Sequence, residues 1–98
     1  MQGTIEQHQF VDWFQKHRPD NFTYKGSIAL FEYLEELELD TGEEMEFDPI
    51  AFCCEYSEYA TIKECLEQYD NIESIDELRD NTSVIKVEGT DAIIIQNF

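Results

Sequence analysis

The sequence predicts a small α+β domain in which helices pack on a three-stranded, largely antiparallel sheet. Three observations predict this class. The 98 residues are enough for one domain with a buried core. The first half of the chain repeats apolar residues at helical spacing, and the C-terminal end is rich in β-branched residues on both sides of a turn. The expected order of elements is α-α-β-α-α-β-β, without an internal repeat or a domain boundary.

The first helix is predicted from a capping signal, an apolar face and a stop. Thr4 and Gln7 have the spacing of a capping box, in which the side chains at the N-cap and three residues later satisfy each other's backbone N–H groups. Pro19 ends the segment. We therefore expect a helix from about Ile5 to His17.

The second helix has the clearest signals. Thr23 is the expected N-cap, and Gly42 is well placed to stop the helix, which should run from about Tyr24 to Asp40. Apolar residues three and four positions apart form the expected buried stripe, namely Leu30, Phe31, Leu34 and Leu37.

The middle of the chain predicts a strand and two short helices. The segment IAFCCEY, which follows Pro49, alternates in a way that suits a mostly buried strand, although a short apolar run is also compatible with a helix. Two further capping boxes begin at Thr61 and Ser74, and they predict short helices that reach about Tyr69 and Asp80.

The C-terminal segments SVIKVE and AIIIQ are rich in β-branched residues, and Gly-Thr-Asp lies between them. This pattern is typical of a β-hairpin, so the last two elements should be paired strands.

The net charge is the most unusual property of the chain. Its 23 acidic residues against six Lys and Arg give a formal charge of −17. Solubility alone needs a net charge of roughly 2–8 for a small domain, and the excess lowers stability through self-repulsion. A field of this sign repels bare nucleic acid and anionic membranes, so the predicted partner is a basic surface.

The sequence does not contain a recognisable catalytic, metal-binding or redox motif. Asp40-Thr41-Gly42 matches the aspartic-protease tripeptide, but its position at the end of a predicted helix favours a helix stop. The acidic segment that begins at Asp40 does not have the ligand spacing of an EF-hand calcium loop. The three cysteines do not have the paired spacing of zinc ligands, which favours buried free thiols (Cys53, Cys54, Cys65). We expect no enzyme activity, no cofactor and no metal site. His8 and His17 should lie on the surface of the first helix.

Targeting signals are equally weak. The N-terminus lacks the basic and apolar regions of a signal peptide, and the longest aliphatic run, from Ala92 to Ile95, is too short to span a membrane. The expected location is therefore a reducing cytoplasm.

Tyr56 and Tyr59 are open to two interpretations, as residues of the core edge, which we favour, or as anchors of an interface.

A dense acidic segment carries the functional hypothesis. The stretch EYLEELELDTGEEMEFD, from Glu32 to Asp48, has no Lys or Arg. Carboxylates three or four residues apart on a helix have Cβ atoms about 5–6 Å apart, and duplex DNA carries about one charge per 3.4 Å on each strand. Such carboxylates present a DNA-like pattern to a basic groove. The expected partner-binding residues are Glu32, Glu35, Glu36, Glu38, Asp40, Glu43, Glu44 and Glu46. A second cluster, Asp70, Glu73, Asp76, Glu77 and Asp80, is expected to extend them, with Asp76, Glu77 and Asp80 as its partner-binding residues.

The block DNFTYKGSIALFEYLEELELDTGEEMEFDPIAFCCEYSEY, from Asp20 to Tyr59, resembles a group of small acidic proteins carried by phages and other mobile elements. Within that group, the chain is similar to anti-CRISPR proteins that mimic DNA and inhibit the type I-F CRISPR surveillance complex. The resemblance implies occupation of the basic site at which that complex grips target duplex and reads its PAM, inside the bacterial host, by a protein expected to be monomeric.

Three alternatives remain open at this stage. The chain could mimic DNA toward a different basic target, as an antirestriction protein or a regulator of a nucleoid protein does. It could be a protein–protein adaptor that uses exposed aromatic residues, with acidity serving only solubility. It could also be a small metal-dependent enzyme or sensor.

Overall fold

An antiparallel sheet separates two groups of helices in the computed structural model, which describes residues 5–98. The predicted α+β class is confirmed. The elements within these residues are α1 (Gln7–His17), α2 (Tyr24–Thr41), α3 (Pro49–Glu55), β1 (Tyr56–Tyr59), α4 (Ile62–Glu67), α5 (Ile75–Asn81), β2 (Val84–Lys86) and β3 (Ile93–Gln96).

The C-terminal hairpin forms as predicted and lies at the centre of the sheet. The strand order is β1-β3-β2, and β3 is antiparallel to both neighbours, with Ile94 opposite Glu58 on one side and Ile85 on the other. Gly89 adopts a positive φ of 77° in the turn between β2 and β3. The backbone N–H of Val87 donates to the carbonyl of Ala92 at 3.1 Å and so closes the hairpin.

Strand β3 is buried on both faces. Ile94 belongs to the core formed with α1, α2 and α3, whereas Ile93 and Ile95 belong to a second core formed with α4 and α5. A strand covered on both sides has no polar face, which explains why this part of the sequence is continuously aliphatic instead of alternating.

The first two helices pack through aromatic residues. The ring of Phe10 lies 4.9 Å from that of Phe14 and 5.2 Å from that of Phe31 on α2, measured between centroids. Helix α1 begins at Gln7 and not at Ile5, because Glu6 is its N-cap and its backbone N–H donates to the side chain of Gln9 at 2.9 Å. The predicted cap Thr4 lies outside the described residues.

The predicted bounds of α2 are confirmed to within one residue. The hydroxyl of Thr23 accepts from the backbone N–H of Gly26 at 2.9 Å, as an N-cap should. The helix ends at Gly42, whose φ of 74° is the left-handed conformation that glycine adopts readily. Asp40-Thr41-Gly42 is therefore the end of a helix.

The strand predicted for IAFCCEY is wrong. These residues form α3, and the strand β1 begins only at Tyr56. The helix forms because Asp48 caps it, its carboxylate accepting from the backbone N–H of Ala51 at 3.2 Å, and because Pro49 fits the first helical turn. The observed order is therefore α-α-α-β-α-α-β-β.

This helix also changes the environment of the cysteines. All three are free, but only Cys65 is fully buried, while Cys53 is half-buried and Cys54 is exposed. The expectation of buried thiols thus holds for Cys65 alone. Burial raises the pKa of the Cys65 thiol, which disfavours the thiolate needed for nucleophilic chemistry.

The two short helices begin at their predicted caps. The hydroxyls of Thr61 and Ser74 accept from the backbone N–H groups of Glu64 and Glu77 at 3.2 and 3.3 Å. Helix α4 ends at Glu67, earlier than predicted, and α5 reaches Asn81.

A carboxylate from the sheet holds the start of α2. Glu58 of β1 accepts hydrogen bonds from the backbone N–H of Thr23 at 2.9 Å and from its hydroxyl at 2.8 Å. A negative charge at a helix N-terminus is also favoured by the helix dipole. Gly26 leaves the space that this carboxylate fills, since a Cβ at position 26 would overlap Glu58 Oε1.

The substitution Gly26→Ala should therefore destabilise the protein by about 1–2 kcal/mol. Alanine favours a helix by up to about 1 kcal/mol over glycine, but displacing Glu58 removes two solvent-exposed hydrogen bonds worth about 1–1.5 kcal/mol each. Urea unfolding measures the change. In a Glu58→Ala background the same substitution should be neutral or stabilising, and a stabilising effect in the wild type would contradict the role assigned to Glu58.

A second expectation concerns alkaline pH. Burial, followed by the neighbouring Tyr33 and Glu55, raises the pKa of Tyr56 to about 12. Because the folded-state pKa exceeds the usual value of about 10, the Tyr56 phenol makes a pH-dependent contribution to the free energy of unfolding. This contribution is complete below pH 10 and is lost as pH rises toward 12. Tyr56→Phe should remove this component, on the order of 1 kcal/mol. The test compares urea unfolding of the two proteins at pH 8 and 11.5, and equal losses of stability would contradict the assignment.

Candidate binding surface on helix α2 and the following loop

Helix α2 buries one side and exposes carboxylates on the other. Leu30 and Leu34 are fully buried, whereas Glu32, Glu36 and Asp40 are exposed. This separation follows from the helical period that places residues three and four apart on one side. The predicted stripe fades toward the C-terminal end, where Leu37 is only half-buried. The last turns of α2 therefore present both sides of the helix to solvent.

The loop after α2 turns back along the helix. Gly42 reverses the chain, and the backbone N–H of Glu43 donates to the hydroxyl of Thr41 at 3.4 Å. The backbone N–H of Met45 then donates to the carboxylate of Glu38 at 2.6 Å. These contacts fix the loop against the last turns of the helix.

Side chains along this loop alternate between core and solvent. Met45 and Phe47 are half-buried and pack against the core of α1 and α2, with the Phe47 ring 5.7 Å from that of Phe10. Glu44, Glu46 and Asp48 are exposed. The alternation places these three acids on the solvent side of the loop, although residues 43–48 pair with no strand.

We define the acidic face as the predicted α2 and loop carboxylates, all of which lie on these two adjoining segments. Its members are Glu32, Glu35, Glu36, Glu38, Asp40, Glu43, Glu44 and Glu46. Glu38 has a structural contact as well, because it holds the loop at Met45. That contact could not be read from the sequence, since it depends on how the chain turns at Gly42.

The second predicted cluster belongs to the other helix layer. Helix α5 packs through Leu78 on the core that contains Ile93 and Ile95, across the sheet from α2. Asp76 and Asp80 are exposed there, and the Glu77 carboxylate accepts from the backbone N–H of Glu73 at 3.4 Å. The structure therefore places Asp76, Glu77 and Asp80 in a layer separated from the acidic face by the sheet.

The exposed acids of this face, Glu32, Glu36, Asp40, Glu43, Glu44 and Glu46, form no ion pair with a described Lys or Arg. Within residues 5–98, no Lys or Arg side chain forms an ion pair with a carboxylate, and the ion pair that is present joins His8 to Glu6 at 3.5 Å. Lys25 lies at the opposite end of α2, where its Nζ approaches the turn at Gly89. The acidic face consequently keeps its negative field.

Other chemistry has little support in the described part of the chain. No group of three or more His, Cys, Asp or Glu side chains there is arranged to hold a metal ion. No helix in the same residues has the length and apolar character needed to cross a membrane. His8 and His17 lie on the surface of α1, as predicted.

The aromatic residues suggested as interface anchors are largely internal. Tyr56 is buried in the first core and Tyr59 packs against the second, which confirms the core-edge interpretation. Tyr24 and Phe98 are the exposed aromatic residues that sequence reasoning missed. Phe98 stacks on Tyr69, with 4.5 Å between ring centroids.

Comparison with protein-family models, curated protein sequences and solved structures finds no match to this chain. The resemblance to DNA-mimicking anti-CRISPR proteins therefore stays a prediction, and function is argued from the acidic face.

The bond between Glu38 and Met45 can be tested by Glu38→Ala. The loss of a charge-assisted hydrogen bond should lower stability by about 1 kcal/mol and accelerate hydrogen exchange at the Met45 amide. Asp40→Ala is the matched control, because it also removes a carboxylate from the last turns of α2, where the helix dipole disfavours anions. The control should leave Met45 exchange unchanged, and equal acceleration in both variants would refute a specific loop contact.

Proposed function

We propose that this chain is a non-enzymatic inhibitor that mimics duplex DNA and occupies the basic DNA-binding and PAM-reading groove of a type I-F CRISPR surveillance complex. Bound there, in the cytoplasm of the bacterial host, it would exclude target DNA. The resemblance described above suggests this target, and the acidic face provides the physical means.

The observation that carries the proposal is the row of exposed carboxylates along α2 and its loop, namely Glu32, Glu36, Asp40, Glu43, Glu44 and Glu46. Helix α2 has 18 residues and is therefore about 27 Å long. Carboxylates on this scaffold meet Arg and Lys through charge-assisted and sometimes bidentate hydrogen bonds, as phosphates do. The strong negative field also accelerates association with a basic partner.

The placement of these acids favours a binding role over a stability role. The last turn of α2 contains no basic residue, although the helix dipole favours cations there. Exposed acids such as Glu36 and Asp40, which neither pair with described Lys or Arg nor suit the dipole, cost stability on the free protein. A basic groove reverses that cost, because it supplies the missing cations.

Two variants of equal net charge separate the effect of where the acids lie on the protein from the effect of net charge itself. The first reverses four exposed acids of the acidic face to Lys, at Glu32, Glu36, Asp40 and Glu43. The matched control reverses four exposed acids outside both predicted clusters, at Asp12, Glu55, Glu67 and Asp91. Losing four charge-assisted contacts should weaken inhibition at least about 100-fold in the first variant, and the control should stay within about tenfold of wild type.

The measurement is a mobility-shift competition in which purified type I-F complex, preincubated with each protein, receives labelled target duplex at two salt concentrations. Wild type should abolish the DNA shift, and less so at high salt. Circular dichroism checks that both variants are folded. Equal inhibition by the two variants would contradict the assigned face.

An unaffected DNA shift, without co-elution of wild-type protein and complex, would exclude this target. Restriction enzymes and other basic DNA-binding proteins would then be tested as targets. Binding that is insensitive to salt would instead favour an adaptor that works through apolar contacts.

A further inference from the structure

Strand β2 is an edge of the sheet, and part of its backbone faces away from its neighbour. The sheet order β1-β3-β2 pairs β2 with β3 alone among the described strands. The carbonyl of Ser83 and the N–H of Val87 both bond across the hairpin, at 3.3 and 3.1 Å. Because residues of an antiparallel strand alternately bond to the partner and face away from it, the backbone groups of Val84 and Lys86 point outward. No described residue bonds to these groups.

A groove lies between this free edge and helix α2, and it encloses about 330 Å³. At one end the hydroxyl of Tyr33 donates to that of Ser83 at 3.0 Å. At the other end Lys25 Nζ lies 3.2 Å from the position that a Cβ would take at Gly89, in the turn after β2. Helix α2 and strand β2 therefore run in opposite directions along the groove.

The α2 wall of the groove carries side chains at the spacing of an extended strand. Ile28, Glu32 and Glu36 line this wall, and successive members are four residues apart. Four residues of an α-helix rise about 6 Å, and alternate residues of a strand lie about 6.5 Å apart on one side of it. A strand added to β2 would thus bring every second side chain against the next residue of this series.

Charge determines which kind of chain fits the edge. A second copy of this protein also carries a charge of −17 and is repelled. Glu32 and Glu36 are exposed and form no ion pair with a described Lys or Arg, so basic side chains on the added strand complement them. Ile28 and Ala29 are half-buried and offer an apolar surface one helical turn away.

We propose that the free edge of β2 receives an extended basic segment of a protein partner as a fourth, antiparallel strand. Because this strand runs opposite to β2, its apolar side chain on Ile28 is followed at alternate positions by basic side chains at Glu32 and Glu36. Val84 and Lys86 supply the backbone hydrogen bonds, and the groove supplies the sequence preference. The inference goes beyond the proposed function, because a mimic of DNA acts through its carboxylates and needs no strand pairing.

The probe is a peptide of about ten residues in which Val is followed at alternate positions by two Lys, with Thr elsewhere. A control peptide of the same composition has its two Lys at adjacent positions, so that only one of them faces α2. Isothermal titration calorimetry at matched salt should show the first peptide binding at least about fivefold more tightly than the second.

Lys86→Pro tests the backbone contact directly. Proline removes an N–H that faces away from the sheet, which edge strands tolerate, and circular dichroism checks that the variant is folded. Its affinity for the first peptide should fall at least about tenfold. Lys86→Ala is the matched control, because it removes the same positive charge and keeps the N–H. Its affinity should equal or exceed that of wild type.

Hydrogen exchange of the wild-type protein provides a measurement that needs no variant. The amides of Val84 and Lys86 should exchange at least about tenfold more slowly when the peptide is bound, whereas Ile85, which faces β3, should change little. Unchanged exchange at Val84 and Lys86, or equal affinities of the Pro and Ala variants, would overturn the inference. Self-association of wild type that Lys86→Pro abolishes would also overturn it, by assigning the edge to a second copy.

The mobility-shift competition separates this inference from the proposed function. Displacement of DNA by a protein that does not bind the peptide would overturn the added strand and leave DNA mimicry standing. Peptide binding with the predicted exchange protection, but with no effect on the surveillance complex, would support the added strand and contradict the proposed target.

Discussion

The fold depends on the burial of strand β3 on both of its faces. Ile94 packs on one side and Ile93 and Ile95 on the other, so a single strand joins two cores that would each be small by themselves. This matters in a chain with a formal charge of −17, because described Lys and Arg residues form no ion pairs that offset the repulsion. Apolar burial must therefore supply the folding free energy that offsets this repulsion. The sheet concentrates that burial at strand β3, away from the acidic residues.

The contact of Glu58 with Thr23 adds a polar connection to the apolar packing that joins α2 to this core. It connects the edge strand β1 to the first turn of α2, and the space at Gly26 allows it. One acid is thus used where the helix dipole favours negative charge, at the N-terminus, while the exposed acids accumulate at the other end. The two ends of α2 therefore have different purposes: the first anchors the helix and the last projects beyond the core.

Much of this architecture could be predicted from the sequence, because local signals agreed with the tertiary result. Thr23 and Gly42 fix the ends of α2 as local caps, and the β-branched segments around Gly89 specify a hairpin. The strand predicted for Ile50 to Tyr56 is wrong because the cap that Asp48 supplies outweighs the alternation of these side chains. The acids could be identified as a group, whereas the contact of Glu38 with Met45 depends on the path that the chain takes after Gly42, which no local pattern encodes.

The loop at residues 43–48 is fastened at both ends and in the middle. Gly42 turns it, Phe47 inserts into the core, and Asp48 passes directly into the cap of α3. Immobilising the backbone of a flexible residue costs about 1–2 kcal/mol in conformational entropy. A disordered acidic tail of the same composition would lose this entropy when it binds its partner, which would weaken the binding. Here the loss is incurred during folding instead, so the free energy of each carboxylate contact is available to hold the partner.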